Sequence, residues 1–287
     1  MNYPRITVVT PSYNQGQFLE QTILSVLGQQ YPNLEYIVMD GGSTDNSVEI
    51  IKKYENQLAY WRSERDGGQA DAINKGFEMA TGNILAWLNS DDFYLPGTLA
   101  FVGARLNPAQ SELVFGNCLH IFQDRPIVHG SDVRSEHEQR NLLLADYIIQ
   151  PSAFWTRQAM QETGPLDKTL DFGFDWEWFV RALQAGVKFA AEDTYLSVYR
   201  KHQGHKTGVG GERRLSELAT IYQRYAGARY ERMFLRCCPR RDRILFFKRT
   251  ISRMRLTKFE GALLKTVFPF LFRSFTRAEV ADVTSML

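Results

Sequence analysis

Neither of the two common nucleotide-binding fingerprints occurs in these 287 residues. There is no GxxxxGKS/T loop, which argues against a P-loop nucleotidase, and no GxGxxG run, which argues against a dinucleotide dehydrogenase. Nor is there an uninterrupted apolar run of the roughly 18 to 20 residues that a membrane-spanning helix needs. The start, MNYPRITVVTPSYN, lacks the layout of a secretory signal. Cysteine is scarce: Cys118 stands alone in an apolar run, while Cys237 and Cys238 are vicinal and poorly placed to form an ordinary disulfide with each other. No Cys/His spacing of the metal-binding kind is present. These absences predict a cytosolic body with unreactive thiols.

Charge is present but unevenly spread. Between Arg229 and Arg277 there are 14 Lys and Arg against 3 Asp and Glu, a net of +11, which leaves −9 for the rest of a chain whose total is +2. In this basic tail Arg and Lys alternate with Phe, Leu and Ile, as they do in helices that lie on an anionic membrane. The plain alternative is a solvated helical appendage or an oligomer surface. The basic run comes with no base-reading fold, so nucleic acid is not an expected partner.

Through the first half, short apolar runs alternate with helical spacing. RITVVT and EYIVMD read as buried strands, and between them Phe18, Leu19, Thr22, Ile23, Val26 and Leu27 recur as one helical face. That is a βαβ unit, which calls for a parallel sheet and an α/β fold. LAYWRS and NILAWLN supply two more strands, with helices following STD and ADAINKGF. After about residue 110 the strands become LVFGNCLHIF and FAAEDTYLSVYR, around a helix from Asp175 to Ala185. From about Glu212 the chain turns mostly helical.

In an open parallel sheet, ligands bind beyond the carboxyl ends of the strands. Four strands end in polar clusters: TPSYN, DGGSTD, ERDGG and NSDD. Helix capping by Ser43 or Thr44, with Asp45 in the first turn, accounts for part of the second cluster. It does not account for Asp40, a carboxylate at the end of an apolar strand followed by two glycines that allow close backbone approach. Asp91 and Asp92 close another apolar strand, with no basic residue between the apolar run and the two carboxylates. Adjacent anions are costly to desolvate unless something screens them. A hard divalent cation bridging a diphosphate is one such partner.

VVTPSYNQGQFLEQTILSVLGQQYPNLEYIVMDGGSTDNS, followed by DGGQADAINKGFEMATGNILAWLNSDD, resembles the nucleotide-sugar half of family 2 glycosyltransferases. The resemblance covers residues 3 to 207. It implies a GT-A fold with a Rossmann-like, mostly parallel central sheet flanked by helices, here followed by a helical C-terminal extension. Residues 1–210 would form the transferase domain, 1–110 its nucleotide-sugar half and 111–210 its acceptor half, with 211–287 as the basic extension.

By that resemblance Pro11, Tyr13 and Asp40 line the base pocket, with Asp40 accepting from the base ring; uracil fits, as do thymine and guanine. Asp66 and Asn74 lie near the base and ribose. Asn89 stands where the family's Asp-x-Asp motif has its first acid and can still bond a ribose hydroxyl, with Ser90 beside it. Asp91 is the expected ligand of a Mn or Mg ion, and Asp92 the second. YRKHQGHKT resembles the family's R-x-H-x-x-S-x-T stretch, with His205 replacing Ser. Arg200, His202 and Lys206 would face the diphosphate, His202 completing the metal shell. His120, His129 and His137 have no such context.

Transfer with inversion needs a base for the acceptor hydroxyl. LDFGFDWEWFVRAL offers Asp167, Asp171, Asp175 and Glu177. Asp175 matches the family's base, although the acid that usually precedes it is Phe174 here. Phe172, Phe174, Trp176 and Trp178 can desolvate it or stack on a sugar; the plain alternative makes Asp175 a helix N-cap. The resemblance thus implies an inverting, metal-dependent transferase, with a UDP-sugar the first expectation for the donor and a saccharide or lipid-linked acceptor. It would work in the cytoplasm at the inner face of the membrane, in bacterial polysaccharide or glycolipid biosynthesis. The alternative is an inactive nucleotide-sugar-binding protein of the same fold. A sugar-nucleotide nucleotidyltransferase is disfavoured because TPSYNQGQ has no Lys or Arg.

Overall fold

The computed structural model describes residues 3–123, 125–202, 206 and 210–287; His205 lies outside them. The chain divides into two compact units, Met1–Arg134 with Ile148–His205, and Ser135–Tyr147 with Lys206–Leu287.

In the first unit the elements run β1 (Ile6–Ser12), α1 (Gly16–Leu27), β2 (Leu34–Asp40), α2 (Ser47–Tyr54), β3 (Tyr60–Ser63), α3 (Gln69–Met79), β4 (Ile84–Trp87), β5 (Phe93–Tyr94), α4 (Thr98–Arg105), β6 (Glu112–Phe122) and β7 (Arg125–Gly130). After α5 (Val133–Gln139) come β8 (Ala153–Thr156), α6 (Arg157–Thr163), α7 (Phe174–Gln184) and β9 (Lys188–Lys201). The sheet order is β3-β2-β1-β4-β8-β6-β9-β5, with β7 on β6. β1 is buried along its whole length between two parallel partners, Ile6 standing level with Leu34 and Ile84. Burial on both faces is why ITVVTPS reads as a continuous run instead of alternating. β2 and β3 lie on one side of β1 and β4 on the other, so the strand order reverses at β1, the place where an open α/β sheet has its binding crevice, at the carboxyl ends.

From β3 to β4 the sheet is parallel, as expected. Beyond β4 the sheet is mixed: β8 runs antiparallel to both β4 and β6, β9 runs parallel to β6, and the two-residue β5 runs antiparallel to β9.

At the amino end of the strands, away from the crevice, buried Glu35 is fully committed. It accepts from the Thr7 hydroxyl (2.5 Å), the Thr81 amide (2.6 Å) and hydroxyl (2.7 Å), and the Gly82 amide (3.2 Å), and it pairs with Arg5 at 3.0 Å. Burial raises its pKa, but the bonds from Thr7 and Thr81 and the Arg5 charge outweigh that and hold it below the ordinary value. A depressed carboxylate contributes stability above its unfolded pKa and loses it as pH falls through the folded one. Glu35→Ala should therefore cost about 3 kcal/mol in urea unfolding at neutral pH, since it strands several buried donors. Glu35→Gln should flatten the loss of wild-type stability below about pH 4.

The second unit is helical: α8 (Gly211–Ile221), α9 (Ala228–Cys237), α10 (Arg241–Arg253), α11 (Glu260–Val267), α12 (Pro269–Phe272) and α13 (Arg277–Ser285). Residues 135–147 join it through polar ties: the Tyr222 hydroxyl donates to the Leu144 carbonyl (2.6 Å), and the Asn141 amide to Asp282 (3.2 Å). α10 buries Ile244 and Ile251, while Phe246 is 72% exposed beside exposed Arg243, Arg249 and Arg253. Among the described residues no helix is long and apolar enough to cross a membrane. Burial pushes the thiols of Cys118 and Cys237 up to about 12, so they are protonated and unreactive at neutral pH.

Candidate active site

The loop after β1 and the loop after β2 are tied to each other. The Asn14 amide donates to Ser43 Oγ (2.8 Å), Asn14 Oδ1 accepts from the Thr44 amide (2.8 Å), the Gln15 amide donates to Ser47 Oγ (3.2 Å), and the Gly16 amide donates to Asp45 Oδ2 (2.9 Å). Asp45 therefore satisfies an orphan amide at the start of α1, as well as that of Ser47 (3.0 Å). Neither Ser43 nor Thr44 caps α2, whose N-cap is Asn46 without a side-chain bond.

Asp40 is buried at the end of β2. Its Oδ2 accepts from the Gly42 amide (3.1 Å), the Ser43 amide (2.9 Å) and the Ser63 hydroxyl (2.7 Å), while among the described residues Oδ1 accepts the Ser43 hydroxyl alone (2.5 Å) and keeps a lone pair. A side chain on Gly41 would meet Asp66 Oδ2 at 2.8 Å, so glycine there lets Asp66 close against the β2 loop. Asp66 also accepts the Gly68 amide (2.8 Å), shaping the turn into α3. Pro11 is buried in β1, and Tyr13 just beyond it is 62% exposed.

The turn after β4 is held by four distant segments. Thr22 of α1, counted from sequence as part of an apolar stripe, places its hydroxyl 2.8 and 2.7 Å from the carbonyls of Ser90 and Asp92. Asn89 belongs to a chain of amides: Gln69 Nε2 donates to Asn89 Oδ1 (2.8 Å), Asn89 Nδ2 to Gln150 Oε1 (3.3 Å), and Gln150 Nε2 to the Trp87 carbonyl (2.8 Å). An amide suits this place because it must accept at one end and donate at the other.

From the end of β9, Arg200 donates its amide to Asp92 Oδ1 (3.0 Å), its Nε to the Asp91 carbonyl (3.0 Å) and its Nη2 to Gln21 (2.6 Å). Its guanidinium lies 4.6 Å over the ring of Phe18 and 5.4 Å over that of Phe93. Arg200 thus holds the turn, a role that the motif match did not reveal. His202 Nε2 stands 3.0 Å from Asp91 Oδ2, with its ring 4.7 Å from that of Phe18. Asp91 is partly open, whereas Asp92 is 1% exposed and its Oδ2 has no hydrogen-bond partner among the described residues. Burial, then the charge of Asp91, pushes the Asp92 carboxyl well above the usual carboxylate range. Lys206 is half-buried and falls in the second unit, so its assignment to the diphosphate rests on the motif match.

Asp175 sits in the first turn of α7, whose N-cap is Gly173, so it is not the capping residue; its Oδ1 accepts the Trp176 amide at 2.8 Å. The helix is seated on β4 and β8 by rings, with Phe174 6.2 Å from Trp87 and Trp178 4.7 Å from Trp155. Phe174, Trp176 and Trp178 are core residues; of the four aromatics only Phe172 is half-exposed. Glu177 is forked onto Arg181 (2.8 and 3.0 Å), and Asp167 is taken by the amide and hydroxyl of Thr169 (2.9 and 2.6 Å). Asn74 is buried and bonded through both ends of its amide to the backbone of Leu166.

The sequence profile of Glycosyl transferase family 2 matches residues 7–163, more than half of the chain. The chain belongs to glycosyltransferase family 2. It is 43% identical over 245 residues to an uncharacterized glycosyltransferase of Mycobacterium tuberculosis, covering 81% of this chain and 90% of that protein. A shorter stretch of 96 residues is 42% identical to an uncharacterized glycosyltransferase of Haemophilus influenzae, covering 32% of this chain and 38% of that one. Among solved structures, S. aureus TarS 1–349 in complex with UDP-GlcNAc has a TM-score of 0.62 at 14% identity, over 98% of this chain and 90% of that chain. The mannosyltransferase PcManGT of Pyrobaculum calidifontis, in complex with GDP-Man and Mn2+, has a TM-score of 0.58 at 21% identity, over 78% of this chain and 64% of that chain. The fold is of the GT-A type.

In this family 2 glycosyltransferase, Asp91 and His202 form a donor pair suited to a divalent cation. One carboxylate oxygen and one imidazole nitrogen leave most of a coordination sphere to phosphate oxygens and water, as in Mg2+ and Mn2+ sites completed by a substrate. Among the described residues no group of three or more His, Cys, Asp or Glu closes a cage. Asp92 is sealed from solvent and spends one oxygen on the backbone of Arg200, so it does not offer the open oxygens that a hydrated ion needs.

Proposed function

We propose that this chain is an inverting, metal-dependent glycosyltransferase that moves a sugar from a nucleoside diphosphate sugar to a hydroxyl of a saccharide or lipid-linked acceptor. The observation that carries this reading is the meeting of Asp91 and His202 at the carboxyl end of β4, residues 111 apart in sequence. Tyr13 stacks on the base, Asp40 Oδ1 accepts its ring N–H, and Asp66 and Asn89 lie toward the ribose. A UDP-sugar is the first donor to try, since Asp40 fits uracil and TarS was solved with UDP-GlcNAc; GDP-Man in PcManGT makes a guanine nucleotide the second.

Asp91 and His202 would hold a Mn or Mg ion, which supplies positive charge against the departing diphosphate. Asp175 takes the proton from the acceptor hydroxyl as its oxygen attacks the anomeric carbon from the face opposite the diphosphate. Inversion follows from that single in-line displacement. The deciding experiment follows release of nucleoside diphosphate from UDP-glucose, UDP-GlcNAc and GDP-mannose with candidate acceptors, and reads the product's anomeric configuration by NMR. A product of retained configuration, or no turnover with any donor, overturns the reading.

The exposed face of α10 fits an anionic membrane, where a lipid-linked acceptor for polysaccharide or glycolipid synthesis would reside on the cytoplasmic side. Phe246 supplies the apolar wedge and Arg243, Arg249 and Arg253 the charge. The full chain should sediment with vesicles of phosphatidylcholine containing about one-third phosphatidylglycerol, and much less when salt rises from about 0.1 M to about 0.5 M. Phe246→Asp should weaken vesicle binding roughly tenfold and leave turnover of a water-soluble acceptor unchanged. Equal binding to phosphatidylcholine alone, or none to either, would remove the membrane from the account.

A further inference from the structure

The segment from Thr163 to Lys168, leading from α6 toward α7, is bonded to two helices at once. From α7, Trp178 Nε1 donates to the Gly164 carbonyl (2.9 Å), and Arg181 donates to the carbonyls of Thr163 (2.6 Å) and Pro165 (2.7 Å). From α3, Asn74 Nδ2 donates to the Leu166 carbonyl (3.0 Å), its Oδ1 accepts the Leu166 amide (2.9 Å), and Asp71 takes Lys168 Nζ at 3.0 Å. Trp178 and Arg181 are three residues apart on α7, as are Asp71 and Asn74 on α3, so each helix offers one face to the segment. It is a strap with a helix on either side.

Both helices begin at the site. α3 starts directly after Asp66-Gly67-Gly68, and Asp71 reaches back to accept the Gly67 amide at 3.0 Å. α7 starts at Phe174, and Asp175 follows. The acidic loop between strap and α7 returns to the same place: Asp171 Oδ1 lies 4.0 Å from where a side chain on Gly68 would begin. One carboxylate, Asp71, therefore serves the loop (Gly67), its own helix (Lys75, 3.0 Å) and the strap (Lys168). The Asn74 amide is engaged at both ends by one backbone unit, the pairing of a short sheet ladder. It is buried, so losing it would leave that unit unsatisfied.

We infer that the strap sets the separation between the Asp66-Gly67-Gly68 loop and Asp175, and that Asn74, Asp71 and Lys168 are positioning residues for proton removal, not contacts to the nucleotide. The inference rests on the reading of Asp175 as the base. A base works only within hydrogen-bond reach of the proton it takes, and a displacement of about 1 Å can cost roughly 10²-fold. Nothing in the sequence pairs Asn74 with Leu166, 92 positions away.

The test compares Asn74→Ala, Lys168→Met and Lys168→Arg with the wild type, using whichever of UDP-glucose, UDP-GlcNAc or GDP-mannose turns over, and measures kcat, donor KM and melting temperature. The Lys168 side chain is 60% exposed, so its variants will fold even if Asn74→Ala does not. Asn74→Ala should lower kcat by roughly 10- to 100-fold with donor KM within about twofold of wild type. Lys168→Met should lower kcat several-fold and Lys168→Arg should restore it. A raised donor KM with kcat preserved makes Asn74 a nucleotide contact and overturns the inference. Full kcat in Asn74→Ala and Lys168→Met, beside an inactive Asp175→Asn, overturns the strap alone. An active Asp175→Asn, or an inert wild type, removes the underlying reading and the inference with it.

Discussion

Asp175→Asn leaves the donor bound and stops its transfer. The amide keeps the shape of the side chain and an oxygen for the Trp176 amide, which now bonds Asp175 Oδ1 at 2.8 Å, so α7 should start as before. What it loses is the ability to hold a proton. General-base assistance is worth roughly 10² to 10⁴ in rate, and kcat should fall by that factor while the dissociation constant of the nucleoside diphosphate moves less than about twofold. Asp171→Asn is the matched control, because that carboxylate is nearby, against Gly68. Its kcat should fall by no more than about tenfold, the effect of a local shift in position. If Asp175→Asn keeps more than about a tenth of wild-type kcat while Asp171→Asn does not, the base has been assigned to the wrong carboxylate.

Asp91→Ala should abolish the manganese dependence of nucleoside diphosphate binding. Calorimetry with and without the ion should show tight binding in the wild type only when manganese is present. In the variant binding should be weaker by roughly 10²-fold, about 2.7 kcal/mol, and the same with or without the ion. His202→Ala should show the same pattern with a smaller loss, on the order of tenfold, since one oxygen donor remains. Asp92→Asn is the informative contrast. Its carboxyl is enclosed, bonded to the Arg200 amide and pushed toward its neutral form, so an amide in its place should change metal-dependent binding by less than about threefold. A large loss in Asp92→Asn with none in Asp91→Ala would reverse the two roles.

The strand ends were legible because the parallel half of the sheet advertises itself. ITVVTPS, LEYIVMD, YWRS and ILAW emerge as β1 to β4 where the apolar runs placed them, and the polar clusters follow directly. The rest of the sheet was harder. AFWT is only four residues long and sits between helical turns, yet β8 is what separates β4 from β6 and makes the sheet mixed. The two residues of β5 carry no periodicity at all.

At the site, the motif match named segments but could not assign each side chain its partner. Arg200 spends its guanidinium on Asp91, Gln21 and two rings, and Asn74 on a backbone unit far along the chain. The helpers Thr22, Gln69 and Gln150 were invisible because a polar residue within an apolar stripe, or a lone Gln, declares no partner in sequence. Such pairs are fixed by tertiary packing, and single-sequence patterns report only local geometry.

The cross-tied loops after β1 and β2 bear on how a chain of this fold can diverge. Replacing residue 14 removes the bond that the Thr44 amide donates to Asn14 Oδ1, whereas the bonds donated by the backbone amides of Asn14, Gln15 and Gly16 depend on the side chains of Ser43, Ser47 and Asp45 across the gap. The two segments, some thirty positions apart, form a single unit of inheritance. A recombination breakpoint falling between them would keep the ties only where the incoming second loop still carries side-chain acceptors at positions 43, 45 and 47.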